Sequence, residues 1–271
     1  MAYCHLNDGV PLYYRDEGQG RPLVLLQALT FGADYFWQRN IPELAKSYRV
    51  IAPDLRGQGL SGKPNHGYSI ARLAADIDEL LTRLDINDAV LLGYSLGGFV
   101  SLQYLQDYGA ERVGGLVLME MTPRLSSTPG WEHPTFGDFP KEAAEGYGDA
   151  LRDNRGIYND FFQAAFLAPP EGAVLEDMIA QTYLTPTEVL AQIIDEMAQQ
   201  DWRDRLAVIP VPTALFYCYP NNNILPTAVG QWIQQQVQES KLVLFDHSSH
   251  APFWEEASKF NSELARFANS L

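Results

Sequence analysis

Residues 88–108, "DAVLLGYSLGGFVSLQYLQDY", constrain this chain more than any other segment. The run "DAVLLGY" at 88–94 has the continuous apolar character of a strand covered on both faces, and from 96 to 108 apolar residues recur at helical spacing. Only Gly93, Tyr94, Ser95, Leu96 and Gly97 lie at the junction, so the strand must turn sharply into the helix. A turn that sharp puts its central residue in strained backbone angles and presses its neighbours against other chain segments. Glycine is therefore needed two residues before and two residues after Ser95, where it is found.

The same alternation runs through the rest of the chain. Apolar runs recur as "PLVLLQ" at 22–27, "YRVIAPD" at 48–54, "GGLVLME" at 114–120, "TALFYC" at 213–218 and "KLVLFD" at 241–246, most with the look of strands buried on both faces. Segments 69–85, 226–238 and 255–268 carry apolar residues at helical spacing, with Ser95 and Pro226 standing where helices begin. The pattern predicts an α/β chain with a mainly parallel sheet. "GVPLYYRDEG" near the start alternates better and reads as an antiparallel edge strand. About ninety residues separate the strand ending near Glu120 from the strand beginning near Thr213, far more than a crossover needs. Residues 121–210 are predicted as an inserted, mostly helical subdomain on a core made of 1–120 and 211–271, within one domain of 271 residues. Its aromatics include Trp131, Phe136, Phe139, Tyr147, Tyr158, Phe161, Phe162, Phe166 and Tyr183, which serve either as its own core or as the wall of an apolar pocket.

Thirty-four acidic against 19 basic residues give a net charge of −15, which repels nucleic-acid phosphates and anionic membrane surfaces, so neither is an expected partner. Cys4 and Cys218 read as free thiols in a reducing compartment. The start "MAYCHLNDGV" has no basic region followed by an apolar stretch, and no window approaches the roughly 18 apolar residues of a spanning helix; a cytoplasmic protein is the expectation. The dinucleotide pattern G-x-G-x-x-G and a phosphate-loop lysine are both missing, and no cofactor or metal is expected.

Ser95 would project its hydroxyl from the turn at a helix amino terminus, where negative charge is favoured. The bland alternative is a glycine-rich helix start with an incidental serine. A serine hydroxyl is a weak nucleophile and needs a base within reach. Of the five histidines, His250 in "HSSHAPFWEE" follows the last predicted strand, at the sheet edge that also carries Ser95. His247 is its nearest rival, while His5, His66 and His133 have no strand end to aim them.

Taken together these residues resemble the α/β-hydrolase superfamily over nearly the whole chain. "GYSLGG" is similar to its nucleophile elbow, "APDLRGQGLSGKP" at 52–64 to its "DLRGHGxS" loop, and "SSHAPFWEE" to its catalytic histidine loop. The likeness is greatest to esterases and cofactor-free haloperoxidase-like hydrolases. It implies a mainly parallel eight-stranded sheet flanked by helices, with 121–210 as an inserted helical cap. One departure is Gln27-Ala28, where the family has His-Gly. Oxyanion donors are backbone N–H groups, so Leu29 and Leu96 can still serve, in a loop expected to differ in shape.

A second departure concerns the acid that orients the base. In the family it most often follows the seventh strand, four residues before a proline; here that position is Asn222, flanked by Asn221 and Asn223. Some members place it at the end of the sixth strand instead, where this chain has Glu120 in "LVLMEMTPR". Glu120 is the expected acid, and Asn222 the alternative residue orienting the histidine. The bland readings are a Glu120–Arg124 ion pair and a plain asparagine turn. Asp246 is too close in sequence to His250, and Asp54 belongs to another strand end. Glu120→Gln is expected to be severe and Asn222→Ala mild.

The leading functional expectation is a serine hydrolase acting on a small, fairly apolar carboxylic ester, thioester or lactone, with Ser95, His250 and Glu120 as triad and Tyr94, Met121, Trp131, Phe162 and Phe253 about the substrate. A perhydrolase would use the same residues with another acceptor. A cofactor-free dioxygenase and a non-catalytic ligand-binding homologue are the other readings. Dehalogenases and epoxide hydrolases carry aspartate where this chain has Ser95. The sequence carries no signal for oligomeric state.

Overall fold

The computed structural model describes residues 2–271. The apolar runs become strands β1 (Ala2–His5), β2 (Pro11–Glu17), β3 (Pro22–Leu26), β4 (Arg49–Pro53), β5 (Ala89–Tyr94), β6 (Val113–Met119), β7 (Thr213–Cys218) and β8 (Lys241–Phe245). They form one sheet in the order β1-β2-β4-β3-β5-β6-β7-β8. β1 and β2 run antiparallel, while β4, β3, β5, β6, β7 and β8 are mutually parallel. β3 has β4 on one side and β5 on the other, so the connections on either side of it leave in opposite directions. That reversal opens a crevice beyond the carboxyl ends of the strands.

Every residue of β5 and β7 is buried, as continuous apolar runs in a parallel sheet demand. β8 departs from the expectation: it is the last strand, and Lys241 and Leu244 are exposed where the helical cover runs out. β2 is antiparallel, as its alternation predicts, but it is not the edge, because the four residues of β1 pair outside it. β1 offers only two residues per face, too few to display an alternation.

Helix Ile70–Arg83 buries Ile70, Leu73, Ala74, Ile77, Leu80 and Leu81 along one face, and Ser69 caps it by accepting from the Arg72 N–H at 3.2 Å. Its buried Asp76 pairs with Arg56 through two 2.7 Å contacts, which ties the "DLRGQG" loop to the scaffold. Removing one partner of so buried a pair costs about 3–5 kcal/mol. Helix Leu96–Tyr108 follows the Ser95 turn, Ala257–Ala268 closes the chain, and Val229–Gln236 starts three residues beyond Pro226.

Between β6 and β7 the described residues contain helices Lys141–Glu145, Tyr147–Asp153, Ile157–Ala164, Gly172–Thr182 and Thr187–Gln199, with no strand of the sheet. Helix Thr187–Gln199 buries Val189, Leu190, Ile193, Ile194 and Met197. Among the described residues no helix is long and apolar enough to cross a membrane.

Candidate active site

At the end of β5 the chain turns as its glycines require. Ser95 has φ 51° and ψ −111°, a conformation that costs a non-glycine residue about 1–3 kcal/mol. A Cβ on Gly93 would lie 2.4 Å from the carbonyl oxygen of Gly97, and one on Gly97 would lie 2.4 Å from that of Leu26 at the end of β3. The turn is fastened to the next strand by the Ser95 N–H, which donates to Met119 O at 3.0 Å.

Glu120 leaves β6 with φ 47°, and its side chain is fully buried. Its N–H donates to Phe216 O on β7 at 3.0 Å, which aims the carboxylate across the ends of β6 and β7. Three donors converge on it. Oε1 accepts from the Cys218 N–H at 2.6 Å, and Oε2 accepts from Asn222 Nδ2 at 2.6 Å and from His250 Nδ1 at 2.8 Å. A carboxylate only accepts, so Nδ1 carries the hydrogen, and the neutral ring in this arrangement is the tautomer with its lone pair on Nε2.

His250 itself is 4% exposed. Its loop is fixed from several sides: the Tyr94 hydroxyl donates to His250 O at 2.6 Å, and the Ser249 N–H donates to Glu255 Oε2 at 3.0 Å. Glu255 Oε1 accepts from the N–H groups of Leu167 and Ala168 at 2.8 and 3.0 Å, joining the histidine loop to the helical segment. Burial, and then the nearby Glu120 charge, hold the hydroxyls of Tyr94 and Tyr217 and the thiol of Cys218 well above their ordinary pKa. Those two hydroxyls and that thiol thus stay neutral beside the carboxylate.

Two alternatives that the sequence leaves open beside Glu120 are not what the structure contains. Asn222 does not orient His250: its Oδ1 accepts the N–H groups of Ile224 and Leu225 at 3.0 and 2.9 Å, and its amide nitrogen faces Glu120. Asn222 thus closes a turn and also serves the carboxylate, because closing the turn is what aims its donor. Arg124 pairs with Asp201 at 3.5 Å, not with Glu120.

The loop after β3 takes an unusual course where Gln27 and Ala28 replace the expected pair. Thr30 and Phe31 succeed one another at φ 66° and 56°. Gln27 is fully buried, with Nε2 3.5 Å from Phe31 O. Beyond the loop, Asp54 accepts from the N–H groups of Ala33 and Leu60 at 2.5 and 2.6 Å, and burial raises its carboxyl to about 7. No hydrogen bond among the described residues uses the backbone N–H of Leu29 or of Leu96. The Tyr158 hydroxyl, from the helical segment, lies 3.2 Å from Leu29 O and 3.1 Å from Thr30 Oγ1. Sequence reasoning placed Tyr158 only among pocket or core aromatics, and no motif marks it.

Two cavities meet at Ser95 and His250, sharing Leu29, Tyr158 and Phe161 as well. The larger, about 660 Å³ with its mouth included, is walled by Met121, Leu125, Ile194, Met197 and Leu225. The smaller, about 430 Å³, is walled by Phe31, Phe36, Tyr94, Phe162 and Phe253. No Lys, Arg or Asp lines either one. Met121 therefore borders one lobe, and Tyr94, Phe162 and Phe253 border the other. Trp131 borders neither; it is buried edge-on against Trp232 of the helix Val229–Gln236, with ring centres 4.9 Å apart. Among the described residues no three His, Cys, Asp or Glu side chains converge as a metal site.

Comparison with known proteins agrees with this architecture. The family described as alpha/beta hydrolase fold matches residues 21–257. The AB hydrolase superfamily protein YisY of Bacillus subtilis is 29% identical, with 99% of each chain covered. The non-heme chloroperoxidase CPO-A1 of Kitasatospora aureofaciens is 27% identical over 99% of this chain and 100% of its own. The esterase EaEST from Exiguobacterium antarcticum shares the fold at a TM-score of 0.90 and 24% identity, with 98% of each chain covered.

Proposed function

The chain belongs to the α/β-hydrolase family, and from that premise we propose that it is a serine hydrolase cleaving small, apolar carboxylic esters through an acyl-enzyme on Ser95. The observation that carries the reading is the 2.8 Å contact between His250 Nδ1 and a fully buried carboxylate, Glu120, at the sheet edge that bears the Ser95 turn. His250 Nε2 takes the proton of Ser95 as Oγ attacks the ester carbonyl carbon, and Glu120 stabilises the imidazolium so formed. The N–H groups of Leu29 and Leu96 receive the carbonyl oxygen as it gains charge. The imidazolium returns its proton to the departing alkoxide, leaving an ester on Ser95. Water, activated in turn by His250, releases the acid. Segment 121–210 acts as the cap, and the lack of a lining Lys or Arg favours substrates with no carboxylate or phosphate.

Treatment with a fluorophosphonate and measurement of intact mass tests the reading: one adduct per chain, abolished in Ser95→Ala, is the expected result. No adduct at high reagent overturns it in favour of a ligand-binding homologue. The kinship with a chloroperoxidase favours a second reading, in which hydrogen peroxide replaces water and the acyl-enzyme yields a peracid and free serine. Halide oxidation that requires both peroxide and a carboxylic acid would identify it.

A further inference from the structure

The loop from Gln27 to Ala33 carries the Leu29 N–H and bends through two consecutive left-handed residues, Thr30 and Phe31. Two successive non-glycine residues in that conformation persist only where their surroundings over-determine them. One end continues β3 and the other is held by Asp54 through Ala33. Between those anchors, the only hydrogen bonds reaching residues 29–31 from outside the loop, among the described residues, come from Tyr158. Its hydroxyl donates to Leu29 O at 3.2 Å and lies 3.1 Å from Thr30 Oγ1, which donates to Leu29 O at 2.6 Å. Tyr158 is buried, and the Arg155 guanidinium stacks 4.7 Å above its ring. The brace on the loop thus belongs to helix Ile157–Ala164 and not to the sheet.

We propose that Tyr158 is a positioning residue, through which the seating of helix Ile157–Ala164 over Ser95 sets the oxyanion loop. The inference rests on the serine-hydrolase reading. The Leu29 carbonyl lies in the peptide plane beyond Cα and the Leu29 N–H in the plane before it, joined only through the φ and ψ of that one residue, so releasing the carbonyl loosens the N–H as well. Displacing that donor weakens binding of the developing oxyanion and leaves the neutral ester's apolar contacts intact. The donor is misplaced, not deleted, so the loss should fall below the roughly 100-fold or more that removal of an oxyanion donor causes.

Tyr158→Phe should lower kcat about tenfold with KM within twofold, and should weaken a trifluoromethyl ketone, which forms an oxyanion on the serine, by the same factor. Thr30→Val, which removes the other hydroxyl of the triangle, should shift the same two quantities and keeps the test available if Tyr158→Phe fails to fold. Tyr183→Leu removes the other ring against which Arg155 packs, at 5.0 Å, without touching the loop, and should leave kcat unchanged. If wild-type protein takes no fluorophosphonate, the hydrolase reading itself has failed. If wild-type protein is labelled and active, but Tyr158→Phe and Thr30→Val alter only KM or nothing, the positioning role alone is overturned.

Discussion

Replacing Glu120 by glutamine keeps the shape of the side chain and removes its charge, and the surrounding donors decide how the new amide is oriented. Glutamine has one acceptor oxygen where the carboxylate presents two, against donors at Cys218 N, Asn222 Nδ2 and His250 Nδ1. If its NH₂ faces His250 it also meets the Asn222 amide at 2.6 Å, and Asn222 cannot turn because Ile224 and Leu225 hold its oxygen. If its NH₂ faces Cys218, a single donor–donor contact results. The second arrangement wins, so His250 keeps its productive tautomer and loses only the anion that stabilises the imidazolium. The cost in kcat should then be about 10²–10³-fold, or about 3–4 kcal/mol, short of the roughly 10⁴-fold seen where the tautomer is also lost. The unpaired Cys218 N–H should lower stability by about 1–3 kcal/mol. Steady-state hydrolysis of p-nitrophenyl butyrate, paired with a denaturant melt, measures both. Turnover within tenfold of wild type would refute Glu120 as the acid.

Asn222→Ala removes both a donor to Glu120 and the closure of the turn; about 3–30-fold lower kcat and about 1–2 kcal/mol of lost stability are expected from the same two assays, in contrast to the mild effect that sequence suggested. Gly97→Ala would drive a methyl into Leu26 O, and thermal melting should show the loss of several kcal/mol or of the fold itself. Asp54 titrates near 7 when folded against 3.8 when unfolded, so between those pH values the unfolded chain binds fewer protons. Stability should therefore fall as pH rises from about 4 through 7, by up to about 4 kcal/mol, and the corresponding slope should be flatter in Asp54→Asn. Phe162→Ala enlarges the smaller lobe and should shift KM with the size of one half of the ester while leaving small esters unchanged; a panel with fixed acid and varied alcohol, then the converse, shows which half.

Legibility in the sequence depends on how each feature is encoded. β5 and β7 are covered on both faces, so their burial is written as unbroken apolar runs, and the Ser95 turn is written as glycines because no other residue fits its contacts. β1 is too short to show a period, and the segment between β6 and β7 is cut into several helices of five to eight residues, which are shorter than a helical pattern needs to declare itself.

Glu120 and Asn222 show where legibility stops. The sequence offers a glutamate after one strand and an asparagine after another as rivals for one role, because along the chain they are 102 residues apart. In space β6 and β7 are neighbours with Met119 opposite Phe216, so the residues beyond each strand meet at the same edge. Register then turns a choice into a partnership: the glutamate accepts from the histidine's Nδ1, and the asparagine donates to the same glutamate oxygen. Tyr158 is harder still, since its only mark is a hydroxyl that reaches Leu29 O from 129 positions away. A motif records residues that a local chain geometry demands; a brace supplied across an interface leaves no local pattern, and only the packed structure reveals it.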